Sequence, residues 1–337
     1  MTVTAAPPAS KHWPASLYRR PDGVLEQELS PVRIREIVEQ GEGELWVDID
    51  STDVHQHALL EKVFGFHPLS IEDTLSPGSR VKLEEYDHYL FVVVSGIRFD
   101  RATPDPFDLE TFNLYFFLGK NYLVTVHAIE SPSCDSTRDR LMRNPDLLGR
   151  GAEMTMHSII DQAVDAYFPV VESLNDLVDH LEEKLFESFD EKLIHEIFKA
   201  KRSAFAFRRH IGPLREVLNV VTNRPSVYIR AETQLYYRDV YDHTIRIMES
   251  VDTTRDLLAG VLETYLSQTS NRMNKVMKQL SIVSTIALPL IVVGGIYGMN
   301  FSAMPLTHHP LGFYWALGSM AAISAVMMWW LRNNRWL

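Results

Sequence analysis

The chain has 337 residues, with 44 Asp and Glu against 33 Lys and Arg and a net charge of −11. That length suits a soluble domain of ordinary size joined to a helical membrane part. One cysteine, Cys134, excludes an intramolecular disulfide and a cysteine-based zinc site, and the acidic balance argues against a nucleic-acid partner.

Residues 1–16 are rich in Ala and Pro, lack an apolar core segment, and read as a disordered tail rather than a signal peptide. The bulk of the chain is therefore expected in the cytoplasm. Residues 17–150 read as a mixed α/β cytoplasmic domain. Glu44 to Asp50 alternates polar and apolar, as a half-buried strand does. Val54 to Phe64 reads as a short helix and Tyr89 to Val94 as a buried strand. Thr111 to Leu118 and Tyr122 to Ala128 flank Gly119-Lys120-Asn121, which suggests a hairpin. The order and pairing of the strands stay open at this stage.

Residues 151–233 change to helical character. Met154 to Glu187 carries Ile159, Ile160, Val164, Phe168, Val171, Leu174 and Val178 at helical spacing. Asp190 to Val221 follows as a second helix, with a kink or break expected at Gly212-Pro213. Asn223-Arg224-Pro225 ends it.

From Gln234 to Tyr297 no Pro precedes Pro289, and Gly260 is the sole Gly before Gly294. This predicts a stalk helix of about 95 Å running into a first membrane span. A helix of that length needs partners for its apolar stripe, and other copies of the chain would supply them. Leu280 to Tyr297 is apolar but for Ser281, Ser284 and Thr285. Residues 298–310 form a link, and Leu311 to Leu331 is a second uncharged run, before a tail at 332–337. About 20 apolar residues cross a bilayer, with a lower limit near 17. Trp315, Trp329, Trp330 and Trp336 near the ends of the second run suit the membrane interface.

Arg272, Lys275 and Lys278 precede the first span, Arg332 and Arg335 follow the second, and the link has no Lys or Arg. Positive flanks stay inside, so both termini are expected in the cytoplasm of a multi-pass protein of the cell (inner) membrane. All 44 Asp and Glu precede residue 264 with 28 of the 33 Lys and Arg, a net −16, whereas residues 264–337 carry +5. An acidic body near a pore mouth would concentrate cations; acidity that only keeps the domain soluble is the plain alternative.

Asn274, Met277, Ser281, Ser284, Leu288, Ile291 and Gly295 share one helical face. Helix packing through small residues and the lining of a pore both fit that stripe. Asp239, Asp242 and His243 share a face at i, i+3 and i+4. HExxH, a Gly-rich phosphate loop and GxSxG are absent, which argues against an enzyme.

Tyr297-Gly298-Met299-Asn300-Phe301 between two C-terminal spans, Tyr237-Arg238-Asp239-Val240-Tyr241-Asp242-His243 at the start of the long helix, and His67-Pro68-Leu69 followed by Glu72-Asp73 come in an order and spacing that resemble the CorA family of divalent-cation channels. The likeness spans essentially the whole chain after residue 20. It implies a CorA-like funnel: an α/β cytoplasmic domain, a long helical stalk and two C-terminal transmembrane helices, assembled as a homopentamer in the lipid bilayer. It implies Mg²⁺ uptake, with Co²⁺ and Ni²⁺ as further substrates, and cytoplasmic Mg²⁺ bound between subunits to close the pore.

The resemblance assigns Gly298, Met299 and Asn300 to the selectivity filter. Mg²⁺ keeps its waters, so neutral oxygens from five Asn300 side chains and from the carbonyls of Gly298 and Met299 suit the hydrated ion; the plain alternative for Asn300 is a helix C-cap. It assigns Asn274, Met277, Leu280, Ser281, Ser284, Leu288 and Ile291 to the pore lining, with Leu280 beside the stripe rather than on it. Asp73 of one subunit would face Asp239 of the next across a closing Mg²⁺, with Glu72, Asp161 and His243 near a second site. A solvated acidic face is the alternative for these carboxylates.

The link departs from the family in carrying no acid, and its His308 and His309 would suit a softer ion such as Zn²⁺ or Co²⁺. Met299 is intact, which favours the Mg²⁺/Co²⁺ branch over the zinc-transporting one. The C-terminal basic cluster is thin, only Arg332 and Arg335. A proton-coupled Zn²⁺ transporter of the same fold and a non-conducting metal sensor stand as alternatives.

Overall fold

The computed structural model describes residues 14–76, 78–99, 109–187, 192–299, 304–305, 309–334 and 336. The chain divides into two compact units, residues 1–261 and 262–337.

The first unit opens with β1 (Ala15–Arg19), β2 (Leu25–Gln27), α1 (Pro31–Gln40) and β3 (Glu44–Asp50). β1 starts inside the segment read as a tail, because Ala15 and Ser16 pair with Asp48 and Val47. Ser30 caps α1 by accepting from the Arg33 N–H, with Pro31 at a position whose missing N–H costs nothing. Three short helices follow, α2 (Val54–His57), α3 (Leu59–Lys62) and α4 (Pro68–Leu75). The segment expected as one helix from Val54 to Phe64 is thus two, broken at Ala58.

Next come β4 (Lys82–Glu85), β5 (Leu90–Phe99), β6 (Leu109–Leu118) and β7 (Tyr122–His127). The seven strands form one sheet in the order β2-β1-β3-β7-β6-β5-β4. β3 and β7 pair in parallel, with Val47 opposite Val124, and the other pairs are antiparallel. The β6–β7 hairpin forms across Gly119-Lys120-Asn121, where the Gly119 N–H donates to the Tyr122 carbonyl at 2.9 Å.

The sheet is buried on both faces. Strand period two sends Leu90, Val92 and Val94 to one core and Phe91 and Val93 to the other. The first core is closed by α5 (Pro132–Arg143), α6 (Ala152–Asp165), α7 (Phe168–Glu187), α8 (Lys192–Asn223) and the start of α9 (Ala231–Tyr297). The second is closed by α1 and the segment from Leu60 to Phe66. Covered faces explain why these strands read as continuous apolar runs.

The stretch expected as one helix from Met154 to Glu187 is α6 and α7, interrupted around Ala166-Tyr167. Pro169 cannot donate to the Asp165 carbonyl, so the ladder loses a bond there. The turn aims Tyr167 inward, where its hydroxyl donates to the Ser95 carbonyl at 2.9 Å. α8 runs through Gly212-Pro213 without ending, because Leu214, Val217 and Leu218 beyond the proline are buried in the core. α9 is one helix of 67 residues and includes Pro289.

In the second unit, the C-terminal part of α9 meets α10 (Gly312–Asn333). Both are long and apolar enough to cross a membrane, and their apolar windows are almost wholly unburied within the chain. A methyl group at Gly294 would stand 3.6 Å from Met320 Cε, an ordinary contact distance, so α10 passes close to α9 there.

Candidate divalent-cation sites

Asp161 and Asp165 lie one turn apart on α6, and His243 projects from α9. Their potential ligand atoms all fall within 4.8 Å of one another. His243 Nδ1 stands 3.4 Å from Asp165 Oδ1, and its Nε2 stands 3.7 Å from Asp239 Oδ2. Nδ1 is buried and has no hydrogen-bond partner among the described residues. Burial pushes the Asp161 carboxyl above its usual range, against the pull of His157 and His243 and with the help of Asp165 and Asp239. An orphaned imidazole nitrogen facing two carboxylates fits a divalent cation, which would relieve the like-charge crowding. The mixed N/O donor set admits Co²⁺ and Ni²⁺ as well as the harder Mg²⁺.

The resemblance puts Glu72, Asp161 and His243 near one site, whereas the structure brings Asp165 rather than Glu72 to Asp161 and His243. The signal was there: an acid at i+4 from Asp161 shares its helical face. Glu72 is exposed on α4 and makes no ligand group with these residues. Asp242 is exposed too, whereas Asp239 and His243 approach each other.

Asp73, at the end of α4, is held inside its own chain. Lys82 Nζ lies 2.7 Å from its Oδ2, and Ser79 Oγ donates to its Oδ1 at 3.3 Å and to its carbonyl at 2.8 Å. Asp239 is 72% exposed and faces solvent in the single chain. The ion pair with Lys82 was not anticipated, because nothing in the spacing says that β4 passes beside α4.

A second group, Asp48, His127 and Cys134, also brings three potential ligands together. Its carboxylate is already taken: Thr125 Oγ1 donates at 2.5 Å, His127 Nε2 lies at 3.0 Å, and Arg138 bonds the other oxygen. Burial opposes the charge on Asp48, yet these partners hold its carboxyl below the usual range. Burial also pushes the Cys134 thiol well up, so it stays protonated. This network joins β3, β7 and α5 as a buried ion cluster.

In the second unit α9 ends at Tyr297. The Gly298 N–H donates to the Gly294 and Gly295 carbonyls at 3.0 and 3.2 Å, and Met299 to Ile296 at 3.2 Å. Gly298 and Met299 therefore emerge from a helix C-terminus, whose carbonyls carry partial negative charge. Asn300 and His308 lie outside the described residues. On the α9 stripe Asn274, Met277, Ser284, Leu288 and Ile291 are exposed, as is Leu280 beside it, and Ser281 is half-buried. Asn274, Met277 and Ser281 share a hollow with Asn334 and Trp336.

Residues 41–333 match the family described as "CorA-like Mg2+ transporter protein". The chain is 35% identical over 296 residues to the cobalt/magnesium transport protein CorA of Thermotoga maritima, covering 87% of this chain and 83% of that one. Its fold matches the complete CorA magnesium transporter of Methanocaldococcus jannaschii with a TM-score of 0.82 at 20% identity, over 100% of both chains. It also matches the ZntB cytoplasmic domain of Vibrio parahaemolyticus, with a TM-score of 0.59 at 15% identity over 77% of this chain and 99% of that one.

Proposed function

The chain belongs to the CorA-like Mg²⁺ transporter family, and on that premise we propose that it is a Mg²⁺ uptake channel gated by cytoplasmic Mg²⁺. Co²⁺ and Ni²⁺ are further substrates. Five copies assemble in the cell membrane with both termini in the cytoplasm, and hydrated cations pass along the Asn274–Ile291 face of α9 with Gly298, Met299 and Asn300 as the filter.

One observation carries this reading. A single unbroken helix, α9, bears Asp239 and His243 near its start and the apolar stripe and Gly298 turn at its end. A cation held by those first groups therefore acts on the same helix that lines the pore. Asp239 of one subunit and Asp73 of the next share the ion, which competes with Lys82 for Asp73. The Asp161–Asp165–His243 group supplies a second holding point. Loss of the ion loosens the subunit contact, which is the differential affinity that a ligand-driven switch requires. Below the filter, Met277, Leu280, Leu288 and Ile291 form an apolar constriction that closes by dewetting.

The test is ion flux into liposomes holding the purified protein. Wild type admits Mg²⁺ and closes as internal Mg²⁺ rises. Asn300→Ala abolishes entry, and Asp239→Ala stays open. Entry of Zn²⁺ alone under a proton gradient would replace Mg²⁺ with Zn²⁺ as substrate, and Mg²⁺ binding without flux would make the protein a sensor.

A further inference from the structure

Residues 1–263 carry a net −16, yet one hollow in this acidic part has no carboxylate among its described lining residues. It lies between the Gly78–Val81 loop, the β5–β6 pair and α8. Its polar part, about 510 Å³, is lined by Ser79, Arg80, Asn113, Arg209 and His210. Its second part, about 250 Å³, is lined by Ile97, Arg202, Ser203 and Ala206, over the buried rings of Tyr167 and Phe207. The two parts share Thr111 and His210.

Among the described residues, neither Arg80 nor Arg209 is hydrogen-bonded or ion-paired. Lys82 holds Asp73 and Arg208 holds Asp252, each one residue or two from an unpaired guanidinium. His210 Nδ1 lies 3.5 Å from the buried Ser95 hydroxyl. Burial and the neighbouring Arg209 push its imidazole down, so at neutral pH it offers a neutral donor rather than a third cation. The loop is firmly placed, because Asn113 Nδ2 donates to the Ser79 carbonyl at 2.8 Å and the Tyr115 hydroxyl to the Ser76 carbonyl at 3.2 Å.

Guanidinium groups are suited to phosphate, because their forked donors match its oxygens. The adjoining slot has walls of Ala206 and Ile97 with Arg202 and Ser203 at its side, and is wide enough for a flat ring. Its polar volume falls within the range of about 300–1,000 Å³ usual for small-molecule sites. We propose that this hollow binds a nucleotide-like anion, with phosphate on Arg80 and Arg209 and the base in the slot beside Ile97 and Ala206. The site is separate from the divalent-cation groups and does not depend on the transport reading. Ser79 links the two regions, since it lines the hollow and its hydroxyl donates to Asp73.

The test is calorimetric titration of the intact protein in detergent, in Mg²⁺-free buffer with chelator. The probes are ADP, inorganic phosphate and adenosine. ADP should bind saturably and weaken with added salt. Arg80→Gln or Arg209→Gln should each cost about tenfold or more, as loss of a charge-assisted hydrogen bond does. Both side chains are exposed, and melting temperatures taken in parallel show that the variants fold. Absence of saturable ADP binding overturns the proposal, as does equal binding by folded variants. Adenosine binding as tightly as ADP removes the phosphate assignment, and phosphate binding as tightly as ADP removes the slot for the base.

Discussion

Single charges in this protein take their character from neighbours far along the chain. Glu44 accepts from the Ala152 N–H at 3.0 Å and lies near Glu153, which Arg230 bonds from just before α9. Burial, and then the charge of Glu153, raise the Glu44 carboxyl to about 7 from 4.5. A raised folded-state pKa stabilises fully below the unfolded value and loses that contribution as pH rises through the folded one. Glu44 therefore favours the fold below pH 4.5 and ceases to do so as pH passes about 7. Glu44→Gln should flatten the pH dependence of thermal unfolding between those values and raise the melting temperature above them. An unchanged pH profile would remove Glu44 as its source. Lys82 gives the other prediction at this scale. It neutralises Asp73 within the chain at 2.7 Å, and both side chains are about a third exposed. A half-exposed pair is worth no more than about 1 kcal/mol, so Lys82→Ala should free Asp73 and lower the internal Mg²⁺ needed to close the channel by about two- to fivefold. Flux measured against internal Mg²⁺ shows this, and a higher closing concentration would contradict it.

Elements follow rules the sequence carries openly, with exceptions at prolines. Ser30, Asp53, His67 and Ser131 each cap the helix that follows by accepting a backbone N–H, and three of them stand directly before Pro. Pro169 splits α6 from α7, but Pro213 and Pro289 sit inside continuous helices. The proline chemistry is the same at all three. Packing decides: α8 has core residues on both sides of Pro213, whereas the break before Pro169 lets Tyr167 reach Ser95. Gly43 is required by geometry, since its φ is +69° and a methyl group there would meet the Arg19 carbonyl at 2.5 Å. α9 is anchored at its start by Tyr237, fully buried, whose hydroxyl donates to the Glu153 carbonyl at 3.0 Å. Tyr237→Phe keeps the ring and removes that bond, so it should cost about 1 kcal/mol of stability. Chemical unfolding of the purified protein measures this, and a neutral result would mean that the ring alone anchors α9.

On the scale of the molecule, the exposed apolar faces of α9 and α10 suit lipid, and in the proposed pentamer they would also meet further copies of the chain. Phe313, Tyr314, Trp315 and Trp329 are all more than 60% exposed, as are Leu288 and Ile291 on the proposed pore side. A helix cannot present apolar residues all round to water. Native mass spectrometry from detergent should give one species at five times the 38.7 kDa chain mass; a monomer or dimer would exclude the proposed pore. The membrane hairpin, the long stalk helix and the mixed α/β class were legible in the sequence, because hydropathy and helical period are local properties of a chain. Strand order, the parallel β3–β7 pairing, the approach of Asp165 to His243, the capture of Asp73 by Lys82 and the basic hollow against α8 came only with the tertiary structure. Each joins residues distant in sequence, and their meeting depends on which faces of the sheet and helices bury together, which no local pattern encodes.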